Sequence, residues 1–386
     1  MDMFLPLYFP SKAALKLVII GGGYSGLSAL ITIREYRPDA EIVLVDRQPY
    51  HLKITHLHES FRRPLTDFKV PFSALEKRFN FRHVMADLTF DDSTLKKWQY
   101  DRVIPVGQEV VGFDYLLVAT GAGFKKLEKS RQVIDLDDFI ERPAPEILEE
   151  HLAAANSSMP WITAVGGGAT GIQYLFEIAH FARERRIPCR LRLVSSEQGV
   201  LTQFDPKLGR YAEARMADLG IEYVPGHFFR GQEADHVVLE SAETGDLSEL
   251  DSHLTLLFIG KSVGLRLHAN FFGQVVADGE VLDRIFTAGD CSYYRSLGSN
   301  AMTAQSAVRK GKLAARNILR HSGLVKLLEP YLHRDLGYLI SLGPQDSVGW
   351  LVSERNVVAG FPAAVVKELV EAQYDLLLAG IDTYIL

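Results

Sequence analysis

Apolar positions along this chain fall into two spacings, and one arrangement of them occurs twice. Leu17-Val18-Ile19-Ile20 is an unbroken apolar run, as expected of a strand buried on both faces. A glycine-rich turn follows, Gly21-Gly22-Gly23-Tyr24-Ser25-Gly26, and helical spacing then predicts a helix from Tyr24 to about Tyr36. Glu41-Ile42-Val43-Leu44-Val45 predicts the next strand, which ends at Asp46. The plan returns with the strand Ile162-Thr163-Ala164-Val165 and the turn Gly166-Gly167-Gly168-Ala169-Thr170-Gly171. A helix from Ile172 to about Arg185 and a strand from Arg190 to Val194 complete it, and a last strand of this half runs from Leu254 to Ile259.

Between the two copies the spacing shortens. Phe81–Met85, Gln108–Val111 and Tyr115–Val118 read as short strands, the last ending in the tight turn Ala119-Thr120-Gly121. Residues 122–150 are charged and contain Pro143 and Pro145, so we expect a loop crossing to another domain. Beyond the second copy, Arg284–Ala288 predicts a strand stopping at Gly289-Asp290, and a helix is expected from Met302 to Leu319. The last sixty or so residues hold a strand pair and a terminal helix from Ala363 to Leu378.

The glycine turns carry the first chemistry. In a G-x-G-x-x-G turn between strand and helix, the first glycine permits the turn and the second admits a pyrophosphate against the backbone. The third lets helix and strand pack closely, and the helix N-terminus offers free N–H groups to the phosphates. One such pattern is weak, because glycine is common. Two in the same context imply two dinucleotides on one chain, with electrons passing between them. Asp46, twenty residues after Gly26, stands where a ribose hydroxyl would be held.

Composition narrows the reading. The 386 residues are 47% hydrophobic and 23% charged, ordinary for a globular protein with room for two or three domains. A net charge of -6 without a basic run gives no support to nucleic-acid binding. Cys189 and Cys291 form no C-x-x-C pair, which suggests small buried residues in a reducing, cytoplasmic compartment. No redox-active dithiol is available. Met1-Asp2-Met3-Phe4-Leu5 places an acid where a leader wants positive charge, and Leu17–Ile33 is broken by its glycines, so neither a targeting peptide nor a membrane span is expected.

The two glycine loops, Ala119-Thr120-Gly121 between them and the strand-borne Gly289-Asp290 together resemble the two-dinucleotide-binding flavoproteins of glutathione reductase type. The resemblance implies an α/β fold with two Rossmann-like domains and a C-terminal α+β segment. It implies an FAD domain of residues 1–135 and 262–325, an inserted NAD(P)-binding domain of 136–261, and a terminal segment of 326–386. FAD would lie on Gly21, Gly22, Gly23, Tyr24, Ser25, Gly26, Asp46 and Arg47, near Ala119, Thr120 and Gly121, with Gly289 and Asp290 on its ribityl chain. NAD(P)H would lie on Gly166, Gly168, Thr170, Gly171 and Ser195.

Within that superfamily the chain most resembles the type II NADH:quinone oxidoreductases. Asp46-Arg47-Gln48-Pro49-Tyr50-His51 resembles their acid-Arg-x-x-Tyr-His segment, and Thr303-Ala304-Gln305-Ser306-Ala307 resembles the start of their quinone-site helix. Gly337–Gly343 resembles their C-terminal strand. The implied acceptor is quinone-like, with Gln305 and Arg309 at its site. The implied location is cytoplasmic or peripheral on the inner face of the membrane. Lys53, Thr55 or His56 would touch the flavin, a reading that competes with a solvated loop and with metal binding by His51, His56, His58 and Glu59; the spacing matches no zinc pattern.

Three departures stand out. The glutamate expected two residues after Gly171 is Gln173, the acid expected at the next strand end is Ser195, and the second glutamine of the quinone helix is Arg309. Arg192 is expected to face solvent. NADPH, weak binding of either nucleotide, or a vestigial site all stay open, as do a non-nicotinamide donor of the sulfide:quinone type and a non-catalytic flavin protein. The terminal helix carries apolar residues at 365, 366, 369, 370, 376 and 377, with three acids against one lysine. Core, dimer face and membrane surface remain open for it.

Overall fold

The computed structural model describes residues 5–124, 130–262 and 264–384. Residues 1–4, which bear on a leader, and 125–129 of the expected crossing loop lie outside the described residues.

The first apolar run forms the strand Lys16–Ile20 inside an eight-stranded sheet. It pairs in parallel with Glu41–Asp46 on one side and Tyr115–Val118 on the other. Arg82–Met85 extends one edge, and Glu280–Thr287 continues the sheet beyond Tyr115–Val118. Gln274–Ala277, Leu267–Ala269 and Ser292–Tyr294 complete it. Strands covered on both faces need continuous apolar runs, which is why Lys16–Ile20, Glu41–Asp46 and Tyr115–Val118 lack alternation.

Two helices cover one face, Tyr24–Tyr36 after the first glycine loop and Ala304–Ser322. Their backbones approach closely because Gly311 has no side chain: a Cβ there would lie 2.2 Å from the Ser25 carbonyl oxygen. The Ser28 hydroxyl donates to the Val308 carbonyl across the same seam at 3.2 Å. Leu95, Trp98 and Phe113 close the opposite face.

The second copy builds a five-stranded parallel sheet ordered Val133–Asp135, Leu254–Leu257, Trp161–Val165, Arg190–Val194, Glu222–Val224. Helices Ala169–Arg185 and Pro206–Asp218 follow its strands. Between the sheets, Gly123–Phe124 and Lys261–Ser262 pair antiparallel, so the chain leaves the first sheet and returns to it side by side.

Two expectations change. Residues 136–154 are mostly helical, as Leu136–Glu141 and Ala144–Ala154. Asp135 caps the first with a capping box, and Pro145 sits in the first turn of the second, where a missing N–H costs nothing. Proline there marked a helix start, not a loop. The terminal strand pair is a three-stranded antiparallel sheet, Gly337–Ser341, Ser347–Leu351 and Ser353–Ala359, followed by the helix Phe361–Leu378. No helix among the described residues is long and apolar enough to cross a membrane.

Candidate dinucleotide sites

The two glycine loops have the same local geometry. Gly21 has φ +105°, and a Cβ on it would lie 2.3 Å from the Ala119 carbonyl oxygen; Gly166 has φ +120°, with the Phe258 carbonyl oxygen at 2.3 Å. Both conformations belong to glycine alone. The third glycines, Gly26 and Gly171, would collide with the carbonyl oxygens of Gly21 and Gly166 at 1.9 and 2.0 Å. The second glycines differ from these: a Cβ on Gly23 or Gly168 meets nothing within 4 Å. That is the open approach a pyrophosphate needs, repeated at both loops. Gly21 N–H donates to the Val45 carbonyl at 2.7 Å, and Gly166 N–H to Val194 at 2.9 Å, so each loop hangs on its neighbouring strand identically.

The residue after that strand is where the copies part. At the first loop, Asp46 accepts the Gly22 N–H at 2.6 Å and the Gln48 N–H at 2.8 Å. At the second, Ser195 is buried, with its hydroxyl accepting the Glu197 N–H at 3.2 Å and lying against Gly167. Arg47 is exposed beside Asp46. Thr170 occupies the first turn of the second helix. Arg192 does not face solvent. It is 4% exposed, packs over the Trp161 ring at 4.1 Å, bonds Glu222 at 3.1 Å and donates to the Asp251 carbonyl. The expectation failed because a long side chain in a strand can fold back over a neighbouring aromatic ring and acid. Gln173 lies 3.4 Å from the His58 ring.

Gly289-Asp290 is brought against the first loop. Gly289 has φ +82°, and a Cβ there would lie 2.5 Å from the Ser25 hydroxyl. Asp290 pairs with Lys261 of the returning crossover at 2.5 Å. Ala119 is buried against Gly21, Thr120 is exposed, and Gly121 has φ +73°. Cys291 is buried, with its thiol 3.4 Å from the Ala288 carbonyl; it and Cys189 are both free thiols.

The segment after Asp46 meets the terminal helix. His51 is buried; its Nδ1 lies 3.0 Å from the Gly22 carbonyl and its Nε2 3.1 Å from the Tyr374 hydroxyl. A carbonyl only accepts, so Nδ1 carries the proton and Nε2 accepts from Tyr374. Burial pulls the imidazole pKa down to about 4, which keeps it in that neutral form. Tyr24 packs on Tyr374 with ring centroids 4.4 Å apart and bonds Thr55 at 2.9 Å. Lys53 pairs with Asp375. Lys53 and Thr55 therefore lie where the first loop meets the terminal helix.

Behind them is a buried ionic cluster that sequence inspection missed. Glu59, 1% exposed, is approached by Arg62, Arg63, Lys367 and His56 at 3.3–3.5 Å. Burial would raise its carboxyl, but the His56 hydrogen bond and the Lys367 and Arg62 charges hold it well below the usual range. Burial pushes Glu177 up to about 7 despite Arg62 at 3.3 Å. His56, Glu59 and Glu371 present ligand-type atoms within 4.8 Å of one another; the Lys367 ammonium is within 3.3 Å of Glu59 and 2.6 Å of Glu371 and supplies positive charge to both.

Gln305 lies in the first turn of Ala304–Ser322, a helix capped by the Thr303 side chain accepting the Ser306 N–H. Arg309, one turn further on, lies over the Tyr384 ring at 5.4 Å.

Two matched glycine loops, each following a strand paired in parallel on both sides and joined by paired crossovers, define an oxidoreductase fold with two dinucleotide-binding domains of glutathione reductase type. The chain belongs to the pyridine nucleotide-disulphide oxidoreductase family, whose pattern matches residues 15–311. It is 25% identical to the type II NADH:quinone oxidoreductase of Staphylococcus aureus, over 95% of this chain and 96% of that protein. Among solved structures it is similar to NDH2 from Plasmodium falciparum in complex with NADH, at TM-score 0.72 and 13% identity over 94% of both chains. It is also similar to the sulfide:quinone oxidoreductase of Aquifex aeolicus, at TM-score 0.73 and 17% identity over 95% of this chain and 92% of that one. These two likenesses describe the fold.

Proposed function

We propose that this chain is an FAD-dependent oxidoreductase that passes electrons from NAD(P)H to a quinone-like acceptor without a redox disulfide. The observation that carries the reading is the repeated loop: a first and a third glycine that no other residue could replace without collision or strain, and at Gly23 and Gly168 the open approach a pyrophosphate requires. The first loop fits FAD, held by Gly21–Gly26, Asp46 and Arg47, with Gly289 and Asp290 toward the ribityl chain and Lys53 and Thr55 beside the first loop. When bound, FAD supplies the exchange between two-electron nicotinamide chemistry and the acceptor. The second loop fits NAD(P)H on Gly166, Gly168, Thr170, Gly171 and Ser195. With Cys189 and Cys291 separately buried or half-buried and unpaired, no thiol relay stands between donor and acceptor.

The chain's own residues bind and position. Asp46 fixes the Gly22 N–H and so the loop's shape, His51 holds the Gly22 carbonyl, and Tyr374 of the terminal helix bonds His51. Gln305 and Arg309, with Tyr384 over the latter, are assigned to the acceptor. In the domain division we draw, Val133–Asp135 goes with the second unit because it pairs with Leu254–Leu257; residues 262–325 return to the first, and 326–386 form the covering segment. On the terminal helix, Phe361, Val365 and Leu369 leave an apolar face exposed by 64, 43 and 64%. We assign that face to a membrane surface or a second copy, and place the protein in the cytoplasm at the inner face of the membrane.

One observation favours a second reading, a donor other than a nicotinamide. The carboxylate that Asp46 supplies at the first loop is absent from the second, where Ser195 stands. An anaerobic titration of the flavin-containing protein with NADH and with NADPH, followed by a soluble quinone, tests both. Bleaching by one nucleotide and recovery on adding quinone is expected. Flavin that dithionite reduces but neither nucleotide does would move the donor elsewhere.

A further inference from the structure

The helix Ala304–Ser322 buries a lysine that the reading above does not use. Lys310 is 1% exposed. Its ammonium donates to the Ser292 carbonyl at 3.2 Å, the Ser292 hydroxyl at 3.3 Å and the Asn300 side-chain oxygen at 3.0 Å. Tyr294 and Tyr331 present their rings to it at 4.9 and 5.8 Å. All three acceptors are neutral. A cation taken out of water without a contacting carboxylate is costly, even with good hydrogen bonds and aromatic faces around it.

Its placement explains what that cost serves. Ser292 is two residues beyond Asp290, and its hydroxyl donates back to the Gly289 carbonyl at 2.6 Å. Lys310 thus grips the turn that carries Gly289 and Asp290, the turn packed against Ser25 of the first glycine loop. Asp290 itself is already paired with Lys261. The positive charge of Lys310 is therefore surplus on the side of the turn away from solvent, in a region where a low effective dielectric makes charge act strongly.

We propose that Lys310 is a positioning residue for the Gly289–Asp290 turn, and that its buried charge raises the reduction potential of the flavin bound beside that turn. The inference rests on the flavin reading of the first loop. Two electrons and one proton added to a neutral flavin leave one net negative charge, and a nearby ammonium stabilises that product over the neutral reactant. Burial pulls Lys310 down to about 8, with Asp290, Cys291 and Asp335 opposing the shift and Arg266 adding to it. The groups around the ammonium are thus Asp290, Cys291 and Tyr294 from the turn and strand, Arg266 before the sheet edge, and Tyr331 and Asp335 from the segment beyond the helix. The lysine is charged at pH 7 and loses its charge as pH rises through about 8. A negative charge on reduction raises that value, so reduction above pH 8 takes up an additional proton.

The test is the midpoint potential of the flavin in the intact protein, by dye equilibration between pH 6 and 10, for the parent, K310M and K310R. Loss of the charge should weaken flavin reduction about tenfold at pH 7, a fall of about 30 mV for a two-electron couple. K310R should keep most of the potential. The parent's potential should fall more steeply with pH above about 8, and this wild-type measurement stands even if K310M fails to fold. An unchanged slope above pH 8 in the parent, or equal potentials in parent and K310M, overturns the inference while leaving the flavin reading intact. Protein that takes up no flavin overturns both.

Discussion

The two glycine loops share a backbone and differ in what surrounds it. Each hangs from its neighbouring strand by one N–H, each forbids a side chain at its first and third glycines, and each is open at the second. The first is then locked from three directions, by Asp46 on Gly22 N–H, by His51 on Gly22 carbonyl, and by the turn at Gly289 on Ser25. The second has Ser195 in place of the acid, the Leu201 N–H on the Gly167 carbonyl at 2.8 Å where the first has His51, and Phe258 where the first has Ala119. A loop held on all sides suits a cofactor that stays. One held by backbone bonds within its own domain suits a ligand that comes and goes. Phosphate binding is a property of the backbone, whereas ribose choice rests on one side chain at a strand end and can change without disturbing the loop.

The largest effects should come from the glycines that set both loops. Gly21→Ala forces a Cβ into the Ala119 backbone at a positive φ, a strain of about 1–3 kcal/mol before any collision is counted. It should release the flavin, read as loss of the yellow absorbance on gel filtration. Gly166→Ala should leave the flavin bound and slow its reduction by nucleotide about 100-fold or more, equivalent to at least ~2.7 kcal/mol. If Gly166→Ala also loses flavin, the loops are not separate sites.

His51 sharpens the contrast, because only the first loop has such a clasp. His51→Ala leaves the Gly22 carbonyl and Tyr374 hydroxyl buried without their partner and should cost about 1–3 kcal/mol in chemical denaturation. Its folded pKa is depressed to about 4, so its contribution is complete above the ordinary histidine value near 6.5 and is lost as pH falls toward 4. The parent should therefore lose stability across that window more steeply than His51→Ala.

Much of this contrast was legible in the sequence. Both loops and Asp46 follow from spacing, because a βαβ unit fixes the order of strand, turn, helix and strand end; the Gly289–Asp290 turn and the absent acid at Ser195 were legible only through the family resemblance. The clasp was not: His51 and Tyr374 are 323 residues apart, and a terminal helix with a mixed apolar stripe gives no sign of which face meets the first loop. Arg192 was misjudged because strand alternation assigns a face but not the Trp161 ring that covers the side chain. Lys310 and the cluster around Glu59 are charges in a buried setting, and composition counts them as surface. The helices at 136–154 were hidden by prolines that open helices as readily as they break them.

Smaller effects concern the strand ends and the buried acid. Ser195→Asp restores at the second loop the carboxylate present at the first, and should raise the preference for NADH over NADPH about tenfold in kcat/KM, roughly 1.4 kcal/mol. An unchanged ratio would show that the strand-end side chain does not face the ribose. Glu177, raised to about 7 by burial, contributes stability that is complete below the usual glutamate value near 4.5 and is lost as pH rises through 7. Glu177→Gln should flatten that fall in thermal unfolding measured from pH 4 to 8.

The central claim is that electrons move between two nucleotide sites and an outside acceptor with no thiol pair between them. Anaerobic titration of the flavin-containing protein with dithionite, counting electrons taken up per flavin, tests this directly. The structure predicts full reduction at two electrons per flavin, since Cys189 and Cys291 are free and unpaired. Uptake of four would reveal a second two-electron centre and contradict the account.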